Sequence, residues 1–161
     1  MTKTGINLRI IARIIGFLLL LEAGVLLLVA LVPLLYREQD FLFFLISSGI
    51  TLTSGLLLLL WGRRAQVAFG KKEGFLTVCL VWVVFSIFGM FPFWLSGSIP
   101  SLTDAFFETM SGFSTTGVTG LTNVESLSHG MLLWRSLTNW LGGMGIIVLS
   151  VAILPMMGIG G

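Results

Sequence analysis

Long apolar runs separated by short polar segments are the main pattern in this sequence. Three stretches contain no Asp, Glu, Lys or Arg, and a fourth contains only Glu22; they are residues 41–62, 74–103, 136–161 and 14–36. A helix needs about 20 apolar residues to cross the roughly 30 Å hydrocarbon core of a bilayer. The pattern therefore predicts four membrane-spanning helices, at about Ile10–Tyr36, Phe41–Trp61, Gly74–Leu95 and Met131–Ile159.

The composition agrees with an integral membrane protein and excludes several other classes. Of the 161 residues, 56% are hydrophobic and 10% are charged, whereas an average soluble chain is about 25% charged. The single cysteine, Cys79, excludes disulfides and cysteine metal clusters, and a net charge of +2 does not indicate a nucleic-acid partner. The sequence has no paired intramembrane acids, histidine cluster or nucleophile elbow, so it does not indicate an enzyme or a cofactor.

The basic residues predict the orientation in the membrane, since Lys and Arg accumulate in short cytoplasmic loops. They are concentrated before the first span and between the second and third spans, as Lys3, Arg9, Arg13, Arg63, Arg64, Lys71 and Lys72. The other two loops have a net negative charge. We therefore expect a multi-pass protein of the cytoplasmic membrane with both termini in the cytoplasm.

The segment between the third and fourth predicted spans does not fit a simple helical bundle. Pro100 and Ser101 form a helix start, with Asp104 in the first turn, and predict a helix over about Leu102–Phe113. Such a helix is about 18 Å long, which is only part of the hydrocarbon core. The sequence that follows, Ser-Thr-Thr-Gly-Val-Thr-Gly at 114–120, is typical of neither a strand nor a helix.

Irregular backbone at membrane depth survives only when it is buried in protein or lines a wet cavity. Extended backbone with threonine hydroxyls and glycines is what a carbonyl-lined ion filter requires. The preceding helix would also direct its partially negative C-terminus towards the membrane centre, where a dehydrated cation needs stabilisation. These features predict a re-entrant pore loop. The alternative that the local composition leaves open is an external loop whose helix lies on the membrane surface.

The sequence leaves more than one interpretation open for three polar residues. An acid within a span, such as Glu22, indicates a functional site by default, and contact with lipid headgroups or a partner helix is the structural alternative. Arg135 is expected to pair with Glu108, with Glu125 or with another carboxylate. His129 is expected on the outer surface rather than as a ligand.

Three stretches of the second half form a recognisable combination: Asp104-Ala-Phe-Phe-Glu-Thr-Met-Ser-Gly-Phe-Ser-Thr-Thr-Gly117, Arg135-Ser-Leu-Thr-Asn-Trp-Leu-Gly-Gly-Met-Gly145 and Leu154-Pro-Met-Met-Gly-Ile-Gly-Gly161. Together they resemble the Trk/Ktr/HKT superfamily of K⁺ uptake proteins, and most closely its bacterial TrkH-type membrane subunit. The resemblance implies an all-α integral membrane protein with a potassium-channel-like fold. Residues 1–73 would form an N-terminal transmembrane hairpin, and residues 74–161 a first span–pore helix–span repeat. Its pore helix would lie at about 102–113 and its filter at about 114–119.

The resemblance also implies site residues and partners. The filter oxygens would come from Thr115, Thr116, Gly117 and Val118, with K⁺ bound at Thr115 and Thr116. The filter would be supported by Glu108, Ser114 and Arg135. The transported ion would be K⁺, with Na⁺ left open because one filter strand does not set selectivity. Implied partners are the lipid bilayer, further pore repeats or identical copies, and a cytoplasmic nucleotide-binding regulatory ring.

Family members carry four such units in tandem, whereas this sequence shows one unit and no internal repeat. We expect either the N-terminal part of a longer transporter, which we favour, or an assembly of four copies. The implied function is potassium uptake through a backbone-carbonyl filter, down an electrochemical gradient or by symport with another ion. The alternative function is a non-conducting membrane module that associates with a full-length transporter or regulates it.

Overall fold

The computed structural model of this chain describes residues 6–64 and 70–156, and the described residues form helices and no strand. The helices, in chain order, are α1 Leu8–Val29, α2 Leu31–Tyr36, α3 Phe41–Gly62, α4 Lys71–Gly89, α5 Phe91–Leu95, α6 Leu102–Phe113 and α7 His129–Met156. A 3₁₀ turn at Val124–Ser126 precedes α7. The all-α architecture predicted from the sequence is confirmed.

Three helical stretches among the described residues are long and apolar enough to cross a membrane: Leu8–Tyr36, Phe41–Gly62 and Lys72–Leu95. They correspond to the first three predicted spans. The fourth predicted span corresponds to α7, which is 28 residues long, and its role as a span stays a prediction. Residues 157–159, the end of that predicted span, lie outside the described part of the chain.

Two spans that the sequence predicted as continuous helices are interrupted in the structure. The first is broken at Ala30, because Pro33 has no N–H to donate to the carbonyl of Val29. The third is broken at Met90, because Pro92 likewise cannot donate to the carbonyl four residues before it. Both prolines are buried.

The first turn of α4 is capped by its own acid. The Glu73 carboxylate accepts hydrogen bonds from the backbone N–H of Gly70 at 3.1 Å and from that of Asn7 at 3.3 Å. Free N–H groups at a helix start are stabilised by such a carboxylate, so α4 begins three residues before the predicted start at Gly74. The contact with Asn7 also ties α4 to the beginning of α1.

Helices α1 and α3 pack side by side as a hairpin, and glycines allow their backbones to approach closely. A Cβ atom added to Gly16 would lie 2.8 Å from the carbonyl oxygen of Gly55, and one added to Gly55 would lie 3.0 Å from that of Gly16. Gly55 of α3 therefore faces α1, whereas a Cβ atom on Gly49 of the same helix would meet no atom within 4 Å.

The short turn of the hairpin, between α2 and α3, holds the start of α7. The Glu38 carboxylate accepts hydrogen bonds from the backbone N–H groups of His129 at 3.0 Å and Gly130 at 3.3 Å, and it pairs with His129 Nδ1 at 2.7 Å. The His129 ring stacks on Tyr36 with the ring centroids 4.2 Å apart, and its side chain is 60% exposed. His129 therefore lies at the surface, as predicted, and links the hairpin to the second half of the chain.

This contact predicts that the stability of the fold depends on pH. Partial burial alone would raise the pKa of Glu38, but hydrogen bonds from the His129 side chain and from the His129 and Gly130 backbone outweigh it and lower the pKa below the usual 4.5. A carboxyl with a lowered pKa stabilises the folded state above its usual pKa, and this contribution is lost as the pH falls through the folded-state value. We expect Glu38→Gln to lower the melting temperature in detergent at neutral pH but not in acid. Glu125→Gln, which changes an exposed acid, should lower it at neither pH; a pH-independent loss in Glu38→Gln would contradict the assignment.

Candidate functional site

Helix α6 begins and ends where the sequence predicted. The Ser101 side chain accepts the backbone N–H of Asp104 at 3.3 Å and caps the first turn. The helix has 12 residues, from Leu102 to Phe113, and is therefore about 18 Å long.

Helix α6 is packed between α4 and α7. The buried Phe113 ring meets Phe85 of α4 at a centroid distance of 5.5 Å and Trp134 of α7 at 6.3 Å. The Trp134 indole in turn donates to the carbonyl of Gly89 at 2.8 Å. Half of the helix residues are buried, among them Ala105 at 0% exposure. This packing favours a helix inserted into the bundle over one that lies on the membrane surface.

The chain after α6 folds back over the helix end. The backbone N–H groups of Thr116 and Gly117 donate to the carbonyl of Ser111 at 3.0 and 3.4 Å. The Ser111 hydroxyl donates to the carbonyl of Val118 at 2.5 Å. Positive φ angles occur at Thr115, 57°, and at Gly117, 74°; the sequence pointed to such a conformation only at glycine.

Residues 115–120 are all exposed in the described chain. The Thr116 hydroxyl shares a hydrogen bond of 2.8 Å with that of Ser114, which caps the C-terminus of α6. The carbonyl of Val118 already accepts the Ser111 hydroxyl, although a carbonyl oxygen has a second lone pair. The backbone around Thr115 and Gly117 is therefore accessible on one side and hydrogen-bonded to α6 on the other.

A buried carboxylate connects α6, the exposed segment 115–120 and α7. Glu108 accepts a hydrogen bond from Arg135 Nε at 2.6 Å, from the Thr119 hydroxyl at 2.9 Å and from the Gly120 backbone N–H at 3.2 Å. Its side chain is 2% exposed, and that of Arg135 is 23% exposed. Of the carboxylates left open by the sequence, Glu108 is thus the partner of Arg135, whereas Glu125 is exposed in the 3₁₀ turn.

The structure brings together most of the candidate residues and adds one. Glu108 and Arg135 form an ion pair, and Ser114 is hydrogen-bonded to Thr116. Ser111 was assigned no role from the sequence, and Thr119 was placed in the filter range without its bond to Glu108. Ser111 lies three residues after Glu108 on the same helix, a spacing that places two polar side chains on one face and was a usable signal.

Two glycines allow α6 and α7 to approach each other closely. A Cβ atom on Gly112 would collide with the Thr138 hydroxyl, and one on Gly142 would collide with the carbonyl group of Phe113. Backbone contact at Gly142 therefore fixes the end of α6, where the exposed segment begins.

Glu22 lies on α1, where α1 meets α4 and α6. It is 2% exposed, and its two carboxylate oxygens have no hydrogen-bond partner among the described residues. Oε1 is 3.1 Å from the position of a Cβ on Gly89, a position that also faces Thr109 and Phe113 of α6. Of the two structural alternatives, the side chain therefore contacts partner helices rather than lipid headgroups.

Comparisons with known proteins agree with this architecture. A family model described as TrkH, cation transport protein, matches residues 41–161. The chain is 45% identical to the Trk system potassium uptake protein TrkH of Salmonella typhimurium and 43% identical to that of Escherichia coli K12, in each case over 96% of this chain. It covers 32% of each, so it spans about a third of the length of these curated relatives.

A solved structure shows the same arrangement of helices. The crystal structure of the potassium transporter TrkH from Vibrio parahaemolyticus superposes with a TM-score of 0.88 at 41% identity, over 97% of this chain and 34% of that one. The family model covers well over half of the present chain, and the helical packing described above extends the likeness to three dimensions. The chain therefore belongs to the TrkH family of cation transport proteins.

Proposed function

We propose that this chain takes part in potassium uptake across the cytoplasmic membrane and supplies one filter strand of the ion pathway. The observation that carries the proposal is the accessible backbone at Thr115–Gly117, which follows a half-length helix and is tied to it through Ser111 and Glu108. The partially negative C-terminus of α6 adjoins this backbone and would favour a cation there. The relatives named as potassium uptake proteins support K⁺ as the ion.

The filter oxygens in this proposal are those of Thr115, Thr116, Gly117 and Val118, with K⁺ bound at Thr115 and Thr116. Carbonyl oxygens replace the hydration shell of the ion, and conduction needs no covalent chemistry. Glu108, Ser114 and Arg135 hold the strand in place. A single strand cannot surround an ion, so the remaining oxygens come from further pore repeats or from identical copies of this chain.

The proposal includes an orientation and a division of the chain. Residues 1–73 form a hairpin that supports the unit, and residues 74–161 form the pore repeat. The N-terminus and the segment around residues 62–73 lie in the cytoplasm, because the basic residues cluster there. Four spans would return the C-terminus to the same side. A nucleotide-binding regulatory ring would then contact the cytoplasmic face.

The test compares two glycines that share one backbone conformation. Gly117 and Gly97 both have φ of 74°, and a Cβ on either would meet no atom within 4 Å. An alanine in this conformation costs about 1–2 kcal/mol at both positions, but only Gly117 lies in the proposed filter. In the Vibrio parahaemolyticus transporter with this chain in place of the matching third, Gly117→Ala should reduce ⁸⁶Rb⁺ uptake roughly tenfold.

Gly97→Ala is the matched control and should leave uptake near that of the unsubstituted chimera. Both variants need equal amounts in the membrane, measured by immunoblot of the membrane fraction. Equal uptake by the two alanine variants would remove Gly117 from the ion pathway and would contradict the proposed filter.

A further inference from the structure

An open pocket of about 720 Å³ lies where the start of α1 meets the end of α3, away from the proposed filter. Within the described part of the chain, its lining combines three arginines with two apolar side chains: Arg9, Arg63, Arg64, Leu60 and Trp61. The volume is within the range of small-molecule sites.

The pocket is built by a close contact between the two helices of the hairpin. A Cβ atom on Gly62 would lie 2.7 Å from the carbonyl oxygen of Arg9 and 2.7 Å from Cβ of Arg13. The missing side chain lets the last turn of α3 rest on the first turns of α1. This contact places Arg63 and Arg64 beside Arg9.

The three arginines line the same pocket, and none of them forms an ion pair with a carboxylate among the described residues. Among the described residues, the ion pairs are Glu38–His129 and Glu108–Arg135, and neither includes an arginine of the pocket. Glu73, the acid nearest in sequence to Arg63 and Arg64, accepts backbone N–H groups of Asn7 and Gly70 instead. Three positive charges around one pocket repel each other, so the pocket favours an anionic ligand.

The chemistry of the lining indicates which anion. Arginine binds phosphate through two parallel N–H groups in a way that lysine does not. Leu60 and Trp61 are 62% and 56% exposed at the end of an apolar helix, where tryptophan commonly marks the membrane interface. A ligand that satisfies both features carries a phosphate next to hydrocarbon chains.

We propose that this pocket binds the phosphate headgroup of an anionic phospholipid in the cytoplasmic leaflet, with its acyl chains against Leu60 and Trp61. The choice of leaflet rests on the orientation given under Proposed function, whereas the site itself does not depend on ion conduction. Basic pockets between spanning helices on the cytoplasmic side are known to hold such headgroups.

The test measures lipid binding to the purified chain in detergent by native mass spectrometry. Phosphatidylglycerol should remain bound where phosphatidylcholine does not. Removing one arginine, in Arg63→Gln, should weaken phosphatidylglycerol binding about fivefold. Replacing Arg9, Arg63 and Arg64 together by glutamine should weaken it roughly 100-fold.

Arg37→Gln is the matched control, because Arg37 and Arg63 each directly follow the last residue of a helix and both are exposed. This variant should bind phosphatidylglycerol like the unsubstituted chain, and circular dichroism should show equal helix content in all variants. Equal retention of the two lipids, or equal weakening by Arg37→Gln and Arg63→Gln, would overturn the site. Displacement of the lipid by excess inorganic phosphate would assign the pocket to free phosphate and overturn the lipid. Lipid binding is measured without ion flux, so a negative result would overturn the lipid site and leave the proposed filter unaffected.

Discussion

Replacing Glu108 by leucine is expected to lower the free energy of unfolding by about 3–5 kcal/mol, the cost of leaving one member of a buried ion pair alone. The side chain is 2% exposed and is bonded to Arg135 at 2.6 Å. Leucine leaves that guanidinium partly buried without a counter-charge, and it removes the acceptor for the Thr119 hydroxyl and the Gly120 N–H. Reversible unfolding in mixed micelles, followed by circular dichroism, measures the change.

The matched control is Asp104→Leu, one turn earlier on α6. Asp104 is exposed and belongs to neither ion pair of the described residues, so its loss should cost less than about 1 kcal/mol, the usual contribution of a charge in the first turn of a helix. Equal destabilisation by the two leucines would show that Glu108 contributes no more than a surface acid.

A double variant separates the two roles of Glu108. Replacing both members of a buried pair by apolar residues is often nearly neutral, so Glu108→Leu with Arg135→Leu should regain much of the lost stability. The hydrogen bonds to Thr119 and Gly120 remain absent in this variant. We therefore expect faster hydrogen exchange at the Gly120 amide and reduced ⁸⁶Rb⁺ uptake in the chimera even where stability has recovered.

The sequence predicted helices best where a local signal marks their ends. The residues Pro100, Ser101 and Asp104 specify the start of α6, and the structure confirms both that start and the end at Phe113. In contrast, the breaks at Ala30 and Met90 were missed. Proline does not interrupt an apolar run in the sequence. In a helix, however, it lacks the N–H for one backbone hydrogen bond, and the helix breaks there.

The contacts of the site were harder to predict because they join distant parts of the chain. The charge of Arg135 required a buried partner, but the sequence offered several carboxylates, and only packing of α6 on α7 selects Glu108. The bond between Glu38 and His129 spans 91 positions and has no local signature. Hydroxyls such as Ser111 are equally compatible with solvent and with a carbonyl partner until the backbone path is known.

Replacing Gly142 by alanine is expected to destabilise the protein by about 3 kcal/mol, at the upper end of the usual cost of overpacking. The added Cβ would collide with the carbonyl group of Phe113, which is backbone and cannot rotate away as a side chain can. Helices α6 and α7 must then separate, and the segment that begins at Ser114 moves with the end of α6. A lower unfolding free energy in mixed micelles and reduced ⁸⁶Rb⁺ uptake in the chimera measure the two consequences.

The adjacent glycine, Gly143, provides a control in which alanine is expected to change the stability in the opposite direction. A Cβ on Gly143 has its nearest contact at 3.9 Å, with the Thr115 methyl group, which is ordinary van der Waals distance. Both positions lie within α7, so each alanine gains the same helix propensity, roughly 0.5–1 kcal/mol over glycine. Gly143→Ala should therefore stabilise the protein while Gly142→Ala destabilises it. Two variants that changed stability in the same direction would contradict the close backbone contact at Gly142, and with it the mechanism proposed here for fixing the start of the filter segment.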